Sequence, residues 1–327
     1  MRQTKKKNWV GFDLGGTKMQ ACVYSDTFTC LGRQRKKTMG PAGPGVGLAR
    51  IVEIIHMALN EAEVAPASLG GIGVGCPGPL DLNKGIMIDT PNLGWKNVKL
   101  KQFLEKEFQC PAIIANDVDA GVYGEYRRGA AVGARCVLGV FPGTGIGGGC
   151  VYEGKLIRGK KGSCMELGHL QVVPEGPLCG CGQRGCLEAV ASRLAISSAA
   201  VAAAYRGDAP ALLELAGMDL SNIRSAVLRK SVEGGDHVVE QIIQEAARWL
   251  GVGTANIINL LAPDVVVLGG GLVEALPKLF LKVVTETARA QVMPAYAKSF
   301  HVVTSKLGDD ATTVGSACLA RDAVIEA

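Results

Sequence analysis

Val10-Gly11-Phe12-Asp13-Leu14-Gly15-Gly16-Thr17-Lys18-Met19-Gln20-Ala21-Cys22-Val23-Tyr24 is the stretch on which the fold turns. Residues 10–12 read as a buried strand, 13–18 as a tight glycine turn and 19–24 as a returning strand. The design recurs further on. Residues 137–141 form an apolar run, Pro142-Gly143-Thr144-Gly145-Ile146-Gly147-Gly148-Gly149 a second glycine turn, and 150–152 the return, again ending in Val-Tyr. Two such units predict two related α/β halves facing a cleft.

Working outward, 46–63 carries Ile51, Ile54, Ile55, Ala58 and Leu59 at helical spacing. Residues 69–76 read as a glycine-interrupted strand running into Pro77-Gly78-Pro79. A short strand over 111–115 precedes a helix over 118–127. The Ala/Leu-rich region 189–228 and the segment 238–260 read as helical. Residues 264–268 form a β-branched buried strand that stops at Gly269-Gly270-Gly271 before a further helix, and 311–327 a terminal helix.

Composition sets the class. With 327 residues, 48% hydrophobic and 20% charged, the chain can bury two cores, and disorder is excluded. Its 44 glycines are about twice the usual ~7% and clustered, which points to ligand loops. Of the formal charge of +5, four charges belong to Arg2, Lys5, Lys6 and Lys7 ahead of the first strand, so the body is nearly neutral. No basic patch with interleaved aromatics follows, and no nucleic-acid partner is expected. The apolar run after the basic start breaks at Asp13, too early for a signal peptide, and no stretch is long enough to span a membrane. Eleven cysteines without a secretory signal fit a reducing cytoplasmic compartment.

The glycine turns are the first candidate sites. Backbone N–H groups converge on a phosphate where no Cβ intervenes, and Thr17 and Thr144 add hydroxyl donors. Gly143-x-Gly145-x-x-Gly148 also matches a dinucleotide fingerprint, but that fingerprint opens a helix and this one opens a strand, so a nicotinamide site is not expected. Asp13, at a strand end before the first turn, suits a magnesium ion held through waters or, more simply, a turn-forming Asp. Lys18 is not part of a Walker loop and reads equally as a solvated lysine. Asn116-Asp117 follows a strand, where either residue caps the next helix or Asp117 serves as a general base; position alone leaves both readings open.

The most specific spacing is His169, Cys179, Cys181 and Cys186, an H-x9-C-x-C-x4-C pattern among Gly180, Gly182 and Gly185. One imidazole and three thiolates in so tight a loop suit tetrahedral Zn²⁺ with every position filled by protein, a structural site. Glu166 and Glu188 flank it as candidate acceptors for sugar hydroxyls.

Taken together, these residues resemble the ROK family of sugar kinases and repressors within the actin-like ATPase superfamily, over nearly the whole chain. Asp13–Lys18 and Gly143–Gly149 resemble its two phosphate loops, Glu166-Leu167-Gly168-His169 its E-x-G-H sugar motif, and Cys179–Glu188 its zinc signature. Gly269-Gly270-Gly271 resembles its adenosine-contacting glycines. The resemblance implies a two-lobed, ribonuclease H-like α/β fold with a cleft between lobes. The expected division is a small lobe over 1–117, joined by a terminal helix over 313–327, and a large lobe over 118–312. It further implies an ATP- and Mg²⁺-dependent kinase acting on a hexose 6-hydroxyl, glucose first and N-acetylmannosamine or another hexose as the alternative. Asp117 is then the base, and Gly78, Asn92, Asn116, Asp117, Glu166, His169 and Glu188 hold the sugar. Asp13, Gly15, Gly16, Thr17, Lys18, Gly143, Thr144, Gly145 and Gly269–Gly271 hold the nucleotide and its metal. His169 has two tasks, one ring nitrogen on zinc and the other toward the sugar. A homodimer is also implied. A repressor would need a DNA-binding segment ahead of the first strand, and eight residues precede Trp9. One departure stands out: Ala115-Asn116-Asp117-Val118-Asp119 replaces the frequent Glu-Asn-Asp-Ala-Asn, which alters the surroundings of the base.

Overall fold

The computed structural model describes residues 7–39, 42–90, 92–160, 162 and 164–326. The basic residues Arg2, Lys5 and Lys6 lie outside that range. The chain forms two compact units. One holds residues up to 133, 150–164 and the stretch from 309 onward; the other holds 134–149 and 165–308.

In chain order the strands of the first unit are β1 (Asn8–Leu14), β2 (Lys18–Tyr24), β3 (Cys30–Lys37), β4 (Leu69–Cys76), β5 (Leu80–Asp81), β6 (Ile86–Thr90), β7 (Trp95–Val98) and β8 (Ala112–Asn116). Its helices are α1 (Pro44–Glu61), α2 (Leu100–Phe108) and α3 (Asp117–Arg128). The main sheet runs β3-β2-β1-β4-β8, and β5-β6-β7 form a small second sheet. β1 is antiparallel to β2 and parallel to β4, which is parallel to β8. This order carries Asp13 and Asn116 to the same, carboxyl, end of the sheet, on either side of β4.

Periodicity explains why α1 lies where it does. Pro44 stands at its first turn, where a missing N–H costs nothing, and Ile51, Ile54, Ile55, Ala58 and Leu59 are its buried stripe against the sheet. The charged β3 has no such stripe and is placed by pairing with β2, Lys18 to Tyr24 running opposite Lys37 to Cys30.

The remaining elements are β9 (Cys136–Pro142), β10 (Ile146–Tyr152), β11 (Lys155–Leu156), α4 (Leu187–Ala191), α5 (Arg193–Tyr205), α6 (Pro210–Ala216), α7 (Ser225–Glu233), α8 (His237–Leu261), β12 (Val265–Leu268), α9 (Gly271–Ala275), α10 (Pro277–Gln291), β13 (His301–Thr304) and α11 (Ala311–Glu326). Their sheet order, β11-β10-β9-β12-β13, repeats that of the first sheet position for position. The two glycine turns therefore sit at matching corners of matching sheets, as the sequence repeat anticipates. In the second unit α8 and α10 pack together over an apolar core that includes Leu250, Ile258, Val266, Phe280 and Val284. The region 189–228, expected to be helical, is divided into α4 to α7, with breaks at Ser192, at 206–209 and after Gly217.

α11 completes the first unit, and glycines let it in. A Cβ on Gly73 would lie 1.8 Å from Ser316 O, and one on Gly315 would lie 1.7 Å from Ala120 O. Backbone thus meets backbone between β4 and α11 and between α3 and α11. This close packing is why α3, assigned at the sequence level to the larger lobe, groups with the first unit, whose boundary falls after 133 and not at 117.

Candidate active site and metal centre

At the carboxyl end of the first sheet, Asn116 is the N-cap of α3, its Oδ1 accepting from Val118 N at 2.9 Å and Asp119 N at 3.2 Å. Capping is thus done by the amide, and Oδ1 of Asp117 accepts from Val118 N at 3.0 Å. Burial raises the proton affinity of Asp117, partly offset by the backbone N–H groups of Val118 and Asp117 itself. The Asp13 carboxyl is pushed up to about 7, by burial first and then by the Asp117 charge. A buried carboxyl next to a second carboxylate is an oxygen donor set of the kind a hard cation favours.

The first turn hangs on these strands. Gly15 N donates to Lys18 O at 3.0 Å, and the buried Thr38 fastens it from β3's end, Oγ1 donating to Gly15 O at 2.6 Å and N to Thr17 O at 3.0 Å. No motif marks Thr38 in the sequence, where it is a single Thr after a charged run. Lys18 is exposed and pairs with Asp309 at 3.4 Å. Asn92 approaches this turn: a Cβ on Gly16 would lie 3.4 Å from Asn92 Cβ. Gly78 follows β4 in a bend, joined to Pro79 by a cis peptide bond.

In the second unit His169, Cys179, Cys181 and Cys186 converge, their ligand atoms all within 4.8 Å of one another. Cys181 Sγ and Cys186 Sγ are 3.7 Å apart, far from a disulfide, and Cys179 Sγ lies 3.7 Å from His169 Nδ1. Tetrahedral Zn²⁺ with Zn–S of ~2.3 Å sets ligand atoms about 3.6–3.8 Å apart, so the four fit the metal. The Gln183 backbone holds the Cys181 thiol below its ordinary range, which favours the thiolate that a metal binds. Since Nδ1 faces the thiols, Nε2 is the nitrogen left for a second partner.

The knuckle leads directly to the second turn. Glu188, two residues past Cys186, accepts from Ile146 N through Oε2 at 3.0 Å, and its Oε1 lies 3.9 Å from Cys179 Sγ. A Cβ on Gly145 would lie 2.3 Å from that Oε2, so a larger residue there would push the carboxylate off Ile146 N. Arg193 adds two hydrogen bonds, N to Gly143 O at 2.9 Å and Nη2 to Thr144 Oγ1 at 2.6 Å. Gly269, Gly270 and Gly271 follow β12, which is parallel to β9, and Gly270 lies against Pro142 O. Both glycine sets stand at carboxyl ends of neighbouring strands, the usual ligand end of such sheets. Glu166 is exposed, its carbonyl accepting from His169 N at 2.9 Å.

The ROK family model matches residues 9–323. The chain belongs to the ROK family. Within it, the glucokinase of Thermotoga maritima is 33% identical over 320 residues, covering 98% of this chain and 99% of that protein. The structure is also similar to that of a ROK family glucokinase from Streptomyces griseus in complex with glucose and AMPPNP. That likeness has a TM-score of 0.83 and 31% identity, over 96% of this chain and 99% of the other. A ROK transcriptional regulator, a homologue of the E. coli Mlc protein, shares the fold with a TM-score of 0.84 and 26% identity, over 97% of this chain and 78% of its own. The α/β fold of this ROK protein is thus that of the actin-like ATPases, and among its described residues no helix is long and apolar enough to cross a membrane.

Proposed function

We propose that this ROK sugar kinase transfers the γ-phosphate of ATP to the 6-hydroxyl of a hexose, with glucose as the first candidate. The observation that carries the reading is the division of labour at the start of α3. Asn116 caps the helix, which leaves Asp117 a buried carboxylate at a strand end that is not needed as the cap. Such a group can accept the hydroxyl proton as the phosphoryl group arrives.

The remaining roles follow from chemistry. The N–H groups of Gly15 and Gly143 close the turns on Lys18 O and Gly145 O, so those of 16–17 and 144–145 bind phosphate oxygens, and Gly269–Gly271 leave room for the adenosine. Asp13 holds Mg²⁺, which supplies charge neutralisation on the phosphates when bound. In the knuckle, bound Zn²⁺ supplies rigidity only, since protein fills all four positions. His169 then donates from Nε2 to a sugar hydroxyl in a fixed tautomer. The amide nitrogen of Asn116, Asn92, the Gly78 bend, Glu166 and the second oxygen of Glu188 take the other hydroxyls. A homodimer is expected, checked by light scattering.

An ADP-release assay over glucose, mannose, fructose, allose, N-acetylmannosamine and N-acetylglucosamine, with ATP and polyphosphate as donors, tests this. Turnover highest with ATP and glucose supports it; turnover confined to an amino-hexose moves the substrate, and none with any pair overturns it. The regulator likeness gives a second reading, a sugar-responsive repressor. Sequence-specific DNA binding without turnover would favour it.

A further inference from the structure

Arg193 is the first residue of α5, and nothing above gives it a chemical task. Its guanidinium is fixed by Nη2 donating to Thr144 Oγ1 at 2.6 Å and Nη1 to Ile223 O at 3.2 Å, while its N–H donates to Gly143 O at 2.9 Å. The side chain is half-buried and held against the second turn at both ends. Arg224, next to the accepting Ile223, is near enough to act on it. Burial first and the Arg224 charge second hold the Arg193 guanidinium below its ordinary range.

Two features argue against a purely architectural arginine. Bracing a loop through a hydroxyl and a carbonyl needs only neutral donors, which would avoid the cost of partly burying a charge. A second arginine beside the first adds repulsion that no described carboxylate relieves, since neither guanidinium is among the ion pairs of the described residues. Ser192 already caps α5 by accepting from Ala195 N at 3.2 Å, so Arg193 is not needed to finish the helix end. What such a pair lacks is an anion, and the turn it touches has an exposed Thr144 hydroxyl between two glycines. Guanidinium is also the group best matched to phosphate oxygens.

We infer that Arg193 is a phosphate-contacting residue of the second turn, oriented by Thr144 and Ile223 and reinforced by the charge of Arg224, and that its ligand is the phosphate chain of the donor nucleotide. The inference rests on the reading of that turn as a nucleotide loop. Its role is electrostatic, binding charge on the donor without forming or breaking a bond.

Calorimetric titration of ATP, ADP and adenosine into the native chain and into Arg193→Met, Arg193→Lys and Arg224→Met, with glucose binding and zinc content measured alongside, tests it. Arg193→Met should weaken ATP by about 10–100-fold and adenosine by less than about twofold, with Arg193→Lys intermediate and Arg224→Met milder. Glucose affinity and zinc content should stay native. Equal weakening of ATP and adenosine would make Arg193 a brace for the turn and overturn the inference, as would native ATP affinity in both Arg193 variants. If Arg193→Met does not fold, Arg193→Lys and Arg224→Met decide it, native ATP affinity in both overturning it. A native chain that binds no ATP would instead remove the nucleotide-loop reading, and this inference with it.

Discussion

The two glycine turns have the same path and opposite chemistry. The first, at 15–17, is held by its own hairpin and by Thr38, and beside it lie the buried carboxyls of Asp13 and Asp117, with Asp309 paired to Lys18 and Arg35. The second, at 143–145, is held by the side chains of Glu188 and Arg193, which follow the metal knuckle, with Arg224 alongside. Equivalent corners of equivalent sheets thus carry different side chains. The acidic corner suits a cation and a proton acceptor; the corner with two arginines suits an anion. Symmetry of backbone did not impose symmetry of charge.

The sharpest way to break this contrast is Asp117→Asn, which touches the acidic corner alone. Turnover should fall about 10³-fold, a usual cost for losing a positioned base, with zinc content and sugar affinity near native. A variant keeping most of its kcat would take Asp117 out of the chemistry. Cys186→Ser attacks the other corner. Loss of zinc, seen by metal analysis, should lower stability by about 4 kcal/mol in denaturant titration and weaken sugar binding through His169. Zinc retained at one ion per chain would deny Cys186 a place in the metal set.

Asp13→Asn has a smaller, pH-dependent effect. A carboxyl that holds its proton more tightly when folded stabilises the fold below about pH 4 and loses that contribution as pH rises through about 7. Without divalent cation, the variant should therefore gain stability over native near pH 8 and nothing near pH 4. Mg²⁺ at the higher pH should stabilise only the native chain. A flat difference across pH would mean that Asp13 is not the strained carboxyl. Smallest is Lys18→Met: its ion pair with Asp309 is exposed, so stability should change by less than about 0.5 kcal/mol. A larger loss of ATP affinity than of stability would give Lys18 a phosphate.

Much of this was legible beforehand because glycine, cysteine and apolar periodicity mark positions that tolerate little else. The α1 stripe, β4, both turns and the knuckle follow directly from spacing. β3 was not legible: Arg33, Gln34, Arg35, Lys36 and Lys37 have no inward face, and the strand exists through pairing with β2 and ion pairs from Arg33 to Asp310 and Arg35 to Asp309. Arg193 was hidden for a related reason, since an arginine opening an Ala-rich helix reads as solvated until its contact with Thr144, 49 positions earlier, is seen. Which of Asn116 and Asp117 caps α3 is decided by hydrogen-bond geometry that composition does not encode.

The docking of α11 onto β4 and α3 carries a consequence for the order in which the protein is made. The first unit has its opening 133 residues early, yet its sheet stays uncovered on the α11 side until the segment from 309 onward has been synthesised. The second unit, nearly continuous in sequence over 165–308, can close while translation is still under way. The unit whose synthesis begins first is therefore the last to have all its elements, and Gly11, Gly73 and Gly124 leave the space that α11 fills.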